Sequence, residues 1–263
     1  MTTSAPFQVV LSHAELACLL TNFNAAPHLG VDRNPFDGLD DQQIAVAHAT
    51  ARDALRARDL LRLDAADQPL VHDDLLRVLE SYANPHLIVT AYRYVAGEEL
   101  PLAWFGYRRA EAIVIHTRPG DLLHAFVLAP DAAALTRALL DFCAGGASPT
   151  PTRAPLTLPG GALAAARAYA DAGQTDQVAQ VLRTAGLDDA AAATLATELN
   201  NPAAVTAITF VANGGAAAPR RRDAIYWQST TPAVRLIDYT GADAVQISGG
   251  GAADLLAILN EMM

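Results

Sequence analysis

A chain of 263 residues that is 52% apolar and only 17% charged has ample material for a folded core and no signature of global disorder. A net charge of −10 and a pI near 5.0 argue against a general nucleic-acid binder or a surface drawn to anionic lipid. The N-terminus has no basic-then-apolar leader, and no window approaches the roughly 20 apolar residues of a membrane span. A soluble, cytoplasmic chain without membrane insertion is expected.

The chain opens with "VVLSHAELACLLTNF", where Ser12 can cap the first helix and Glu15, three residues later, completes a capping-box pattern. A second runs from Asp41 to Leu61 on a stripe of Ile44, Ala47, Ala51, Leu55 and Leu60, and a third from Asp73 to Tyr82. Asn84-Pro85 should stop the third helix. Four strand-like runs follow, "HLIVTAYRYV", "LAWFGYRR", "EAIVIHT" and "LLHAFVLA", and then a closing helix, "DAAALTRALLDFC".

Residues 144–159, "AGGASPTPTRAPLTLP", are rich in Gly, Pro, Ser and Thr and read as a connector. Beyond it the order repeats. Helices fit "GALAAARAYADAG", "TDQVAQVLRTAG" and "LDDAAAATLATEL", with Gly173 and Gly186 as stops. Asn201-Pro202 then stands where Asn84-Pro85 stood. Strands fit "AVTAITFVA", "DAIYWQST", "AVRLIDY" and "DAVQIS", and "ADLLAILNEM" closes the chain. Trp104 and Trp227 fall in the corresponding second strand of each series. The pattern predicts an α+β fold with pseudo-twofold internal duplication, each half being helices, an antiparallel meander and a helix around a central antiparallel sheet. Residues 1–143 and 160–263 are the expected repeats, together forming one compact domain.

Chemistry is harder to find. "SGGGAADLL" has the layout of a phosphate loop, but no lysine follows the glycines and the spacing is not G-x-G-x-x-G. Its counterpart "LAPDAAALT" makes it a helix entrance. The seven histidines offer no zincin pair. His72-Asp73-Asp74 and Asp40-Asp41 stand where helices begin, so capping accounts for them. Cys18 and Cys143 lie in apolar stretches and read as buried reduced thiols. Arg220-Arg221-Arg222 reads as a solvated loop or strand edge. No catalytic, cofactor or metal site is expected, and no enzyme. The run "AWFGYRR" is the one candidate patch: alternation sends Phe105 and Tyr107 to one face and Trp104 to the other, for core packing or an exposed binding edge.

Several short elements carry a resemblance. Leu11-Ser12-His13-Ala14-Glu15-Leu16 is an L-[ST]-x-x-E-L-like opening, and Ala51-Arg52-Asp53-Ala54-Leu55 an "AR..L" element. "LLRVLESYANPHLIV" is a helix ending in a proline-led strand, Leu156-Thr157-Leu158-Pro159 a start after a proline-rich connector, and "STTPAVRLIDYTGADAVQISGGGAADLLAIL" a closing pattern. In these the chain resembles the EspG family of chaperones from type VII (ESX) secretion systems. The glycine-arginine that often follows the Thr-Pro segment and the usual Trp-x-x-x-x-Pro before the last helix are absent here.

The resemblance implies a pseudo-twofold α+β fold and a non-enzymatic task in the cytosol, binding helical secretion substrates before export. Such a partner would be WXG100-like or PE/PPE-like; mycobacterial members cover an apolar tip of a PPE protein. A binding chaperone should expose an apolar patch, on the loop Gly97–Pro101 and the strands around Trp104 or on the second-half helices. Leu100, Trp104, Phe105 and Tyr107 are the candidate contacts. Two other readings stay open: a structural or regulatory homodimer joined through an unpaired strand edge, and an enzyme or small-ligand binder with an unrecognised site.

Overall fold

The computed structural model describes residues 6–22, 35–66, 68–120, 122–146, 155–213, 218–230, 233–239 and 243–263. The chain divides into two compact units, Met1–Ile88 with Ala103–Leu135 and Asn213–Ala218, and Val89–Leu102 with Thr136–Ala212 and Pro219–Met263.

The first unit opens with β1 (Gln8–Ser12), α1 (His13–Asn22), α2 (Asp41–Ala57), the hairpin β2 (Leu61–Leu63) and β3 (Pro69–Val71), and α3 (Asp73–Ala83). It takes in the start of β4 (Leu87–Val95), most of β5 (Leu102–Arg109), β6 (Ala112–Gly120), β7 (Leu123–Ala129) and the first residues of α4 (Ala132–Ala144). Its strands follow the order β1-β7-β6-β5, antiparallel throughout. The capping reading holds at each helix start. Glu15 N–H donates to Ser12 Oγ, Gln43 N–H to Asp40 Oδ1, and Asp74 N–H to His72 Nδ1. One strand face is packed by α1 and α3: Leu16 and Leu19 from one helix, and Leu75, Val78 and Tyr82 from the other, are buried.

The second unit contains the rest of β4 and α4, β8 (Leu156–Pro159), α5 (Gly160–Asp171), α6 (Thr175–Thr184) and α7 (Asp189–Asn200). It continues with β9 (Pro202–Ala212), β10 (Arg220–Ser229), β11 (Val234–Asp238), β12 (Ala244–Ser248) and α8 (Ala252–Met262). Its strand order is β4-β9-β10-β11-β12-β8. Helices α5, α6 and α7 cover one face: Leu163, Val178, Leu182 and Leu195 pack with Trp227, Ile237, Val245 and Ile247 of the strands in one buried cluster. Gly173 (φ +71°) and Gly186 (φ +99°) end α5 and α6 in the left-handed region that glycine enters without strain.

Asn84 and Asn201 cap α3 and α7 in almost the same backbone conformation, φ −137°, ψ 61° and φ −128°, ψ 62°. A proline next in the chain bars the helical region to the residue before it.

Three features depart from the sequence reading. A strand, β1, precedes the first helix, and α2 ends at Ala57, where the chain turns into the short β2–β3 hairpin. Of the expected connector at 144–159, residues 147–154 lie outside the described residues, and Leu156–Pro159 is strand β8, paired with β12. Gly160 N–H donates to Asp243 O, which sets the register so that Leu156 and Leu158 turn their backbone groups to β12 while Thr157 and Pro159 turn theirs away. The triple glycine is a helix entrance, as its counterpart implied, but Gly250 is not interchangeable there. It sits at φ +70°, and a Cβ would lie 2.9 Å from Val234 Cγ1. Gly251 N–H donates to Asp254 Oδ2, closing the first turn of α8.

Candidate partner-binding surface

Of the four candidate contacts, one stands at the surface. Leu100 is 80% exposed beyond the end of β4, with Leu102 (55%) and Tyr94 (52%) also exposed on that hairpin. Trp104, Phe105 and Tyr107 are at most 2% exposed. Alternation does send them to opposite faces, but both faces of β5 are covered. Tyr107 meets Tyr82 of α3 edge-on, ring centroids 5.3 Å apart, and Phe105 stacks on His116 at 5.2 Å. Trp104 lies over the space left by Gly106, where a Cβ would come within 3.0 Å of the indole and 2.9 Å of Leu135.

Tyr107, His116 and His124, all buried in this first unit, form a connected cluster. His116 Nε2 and His124 Nδ1 are 3.0 Å apart, and Tyr107 Oη is 3.4 Å from His116 Nδ1. The His116 ring stacks on Phe126 at 4.5 Å. Burial, with His124 and Arg118 as further causes, pushes the His116 pKa down to about 3, so the imidazole is neutral at physiological pH. Both histidines are fully buried, so no substrate reaches them. Burial likewise pushes the Cys143 thiol up to about 12 and raises that of Cys18, the opposite of what a nucleophile needs.

The second unit carries an apolar groove of about 370 Å³. Leu163, Ala164 and Ala168 of α5 make one wall, Ile225 and Trp227 of β10 the floor, and Ile237 and Tyr239 the far side. The groove exists because α5 is alanine-rich. Ala164 and Ala168, four apart on one stripe, are too short to cover the strand residues opposite.

Arg167 closes one end. Its guanidinium lies 4.5 Å from the Trp227 ring centroid, donates to Leu199 O at 3.1 Å and pairs with Asp171. Trp227 Nε1 donates to Glu198 O at 3.0 Å, so the indole cannot rotate out of the floor. Arg167 and Asp171 are thus engaged with each other, and among the described residues no histidine, cysteine or serine lines the groove. It can take up apolar side chains.

Residues 16–256 match the model of the EspG family. The chain belongs to the EspG family. Among solved structures, the type VII secretion system chaperone EspG5 of Mycobacterium tuberculosis, in complex with the PE25–PPE41 dimer, is similar with a TM-score of 0.71. That likeness covers 97% of this chain and 95% of the other at 15% identity, and is one of fold. No curated protein matches the sequence. Membership of the EspG family agrees with the α+β architecture and antiparallel strands described above. Among the described residues no helix is long and apolar enough to cross a membrane.

The groove was only half legible in the sequence. The second-half helices were a candidate surface, but no single residue of them stood out. The usable signal was the run of alanines in "GALAAARAYADAG" beside a strand that carries Ile225 and Trp227.

Proposed function

We propose that the chain is a non-enzymatic chaperone of a type VII secretion system, holding a helical PE–PPE-type substrate in the cytoplasm before export. The observation that carries this reading is the apolar groove beside α5, together with family membership over residues 16–256. A protein of the same fold, EspG5, was solved with a PE25–PPE41 dimer, which supports a partner of that class. A helix presents apolar side chains one turn apart, and a groove lined by short alanines over an indole floor accepts them. Each leucine- or phenylalanine-sized side chain buried there contributes about 1.5–3 kcal/mol. The exposed Leu100 and Leu102 offer a second apolar contact on the same unit.

Co-expression with a PE–PPE pair tests the reading. Co-elution of the three chains is the expected result. Repeated recovery of this chain alone, carrying a bound metabolite, would overturn it.

A further inference from the structure

Strand β1 ends the strand order of the first unit. Leu128 N–H donates to Phe7 O at 3.0 Å and His13 N–H to Leu122 O at 2.8 Å. With the register Gln8↔Val127 to Ser12↔Leu123, these bonds direct the odd-numbered residues' backbone groups to β7. Alternate residues of an antiparallel ladder face opposite ways, so the groups of Gln8, Val10 and Ser12 point outward. An outward row of this kind is a template for another strand. The strand itself, "QVVLS", has no charged residue or proline to blunt it.

Two of the outward groups are held by side chains. Arg58 Nη2 donates to Val10 O at 2.6 Å, and Ser12 N–H donates to Glu15 Oε2 at 2.7 Å. Arg58 Nη1 joins the two by pairing with Glu15 Oε1 at 3.1 Å. Glu15 is bound into the capping box of α1 and its side chain is 9% exposed, whereas that of Arg58 is 41% exposed. Arg58 can therefore leave without opening the core.

We infer that Arg58 is a latch over the edge of β1, and that the occupant it excludes is β1 of a second copy of this chain. Apart from the Ser12 N–H that Glu15 keeps, the outward set is self-complementary. Two antiparallel β1 strands centred on Val10 set Val10 against Val10 and Gln8 against Ser12. Both central bonds of that pairing run through the Val10 carbonyl, the atom that Arg58 holds. The Val10 side chain is 39% exposed, so the two valines bury apolar surface on each other. Twofold pairing also closes on itself, leaving no free end for further copies.

The test compares wild type, Arg58→Ala, Arg58→Lys and the double variant Arg58→Ala/Val10→Pro by sedimentation and by hydrogen exchange at the Val10 amide. In wild type and Arg58→Lys, whose ammonium can still reach Val10 O, that amide exchanges freely at every concentration. In Arg58→Ala the mass doubles and Val10 exchange slows at least ~10-fold as concentration rises. Val10→Pro, which lacks the N–H, returns the double variant to wild-type mass. Arg58→Gln carries the same expectation as Arg58→Ala and keeps the apolar stem should truncation unfold the chain. Free exchange at Val10 in both Arg58→Ala and Arg58→Gln overturns the inference, whether those variants stay monomeric or associate through another face.

Discussion

Arg235 of β11 donates from Nε to Glu198 Oε2 of α7 at 2.9 Å, with the two side chains 2% and 5% exposed. The same glutamate offers its main-chain carbonyl to Trp227. One residue of α7 therefore fixes both an arginine and the groove floor, tying helix position to groove shape. Removing one member of such a pair leaves an uncompensated buried charge. Glu198→Ala should lose about 3–5 kcal/mol, read as a lowered denaturation midpoint. A paired Glu198→Leu/Arg235→Met exchange should recover most of that loss, since well-packed apolar residues replace buried ion pairs at little cost.

Gly250→Ala should destabilise by about 1–3 kcal/mol, because the backbone is left-handed and the new methyl group meets Val234. Gly251→Ala, where a Cβ meets nothing closer than 4.0 Å, should cost well under half of that. Equal losses in thermal unfolding would show that the conformation of Gly250 does not matter.

Stability should fall on acidification through His116. Its folded pKa lies near 3 against 6.5 for an exposed imidazole, so below 6.5 the unfolded chain binds the proton and the folded chain does not. The contribution is complete above pH 6.5 and is lost as pH falls towards 3, amounting to about 2 kcal/mol by pH 5. Urea midpoints from pH 7.5 to 5 should show it, and His116→Phe should flatten the slope over that window.

The groove and the hairpin tip can be separated. Ala168→Glu places a charge on the exposed groove wall and should weaken substrate binding at least ~10-fold, or about 1.4 kcal/mol, without lowering the melting temperature. Leu100→Ser should weaken it less, because one exposed leucine is lost while the groove is intact. A calorimetric titration in which Ala168→Glu binds as wild type removes the groove from the interface.

The helices and long strands were readable because each carries its period over seven or more residues, as in the Asp73–Ala83 stripe or the alternation of Leu87–Val95. The strands that escaped notice are too short to show a period, and one of them depends on a distant partner. Leu61–Leu63 and Pro69–Val71 hold only three residues each, and Leu156–Pro159 is a strand because of Ala244–Ser248.

Trp104, Phe105 and Tyr107 show the other limit. Their alternation was legible, but burial on both faces depends on Tyr82, Gly106 and Leu135, which no local pattern joins to them. Arg220 to Arg222 read as a solvated run, yet each has a partner. Arg220 donates to the carbonyls of Glu261 and Met262 at the end of α8, Arg221 to Asp223, and Arg222 to Asp238.

Thr157 and Pro159 carry the outward backbone groups of β8, and proline has no N–H to give. The last strand of the second unit therefore offers a growing fibril one amide where an ordinary strand would offer a row. A protein that keeps an apolar groove open to water is exposed to self-aggregation by that groove. A proline at the neighbouring edge leaves cross-β growth there one donor short, while the groove itself stays open.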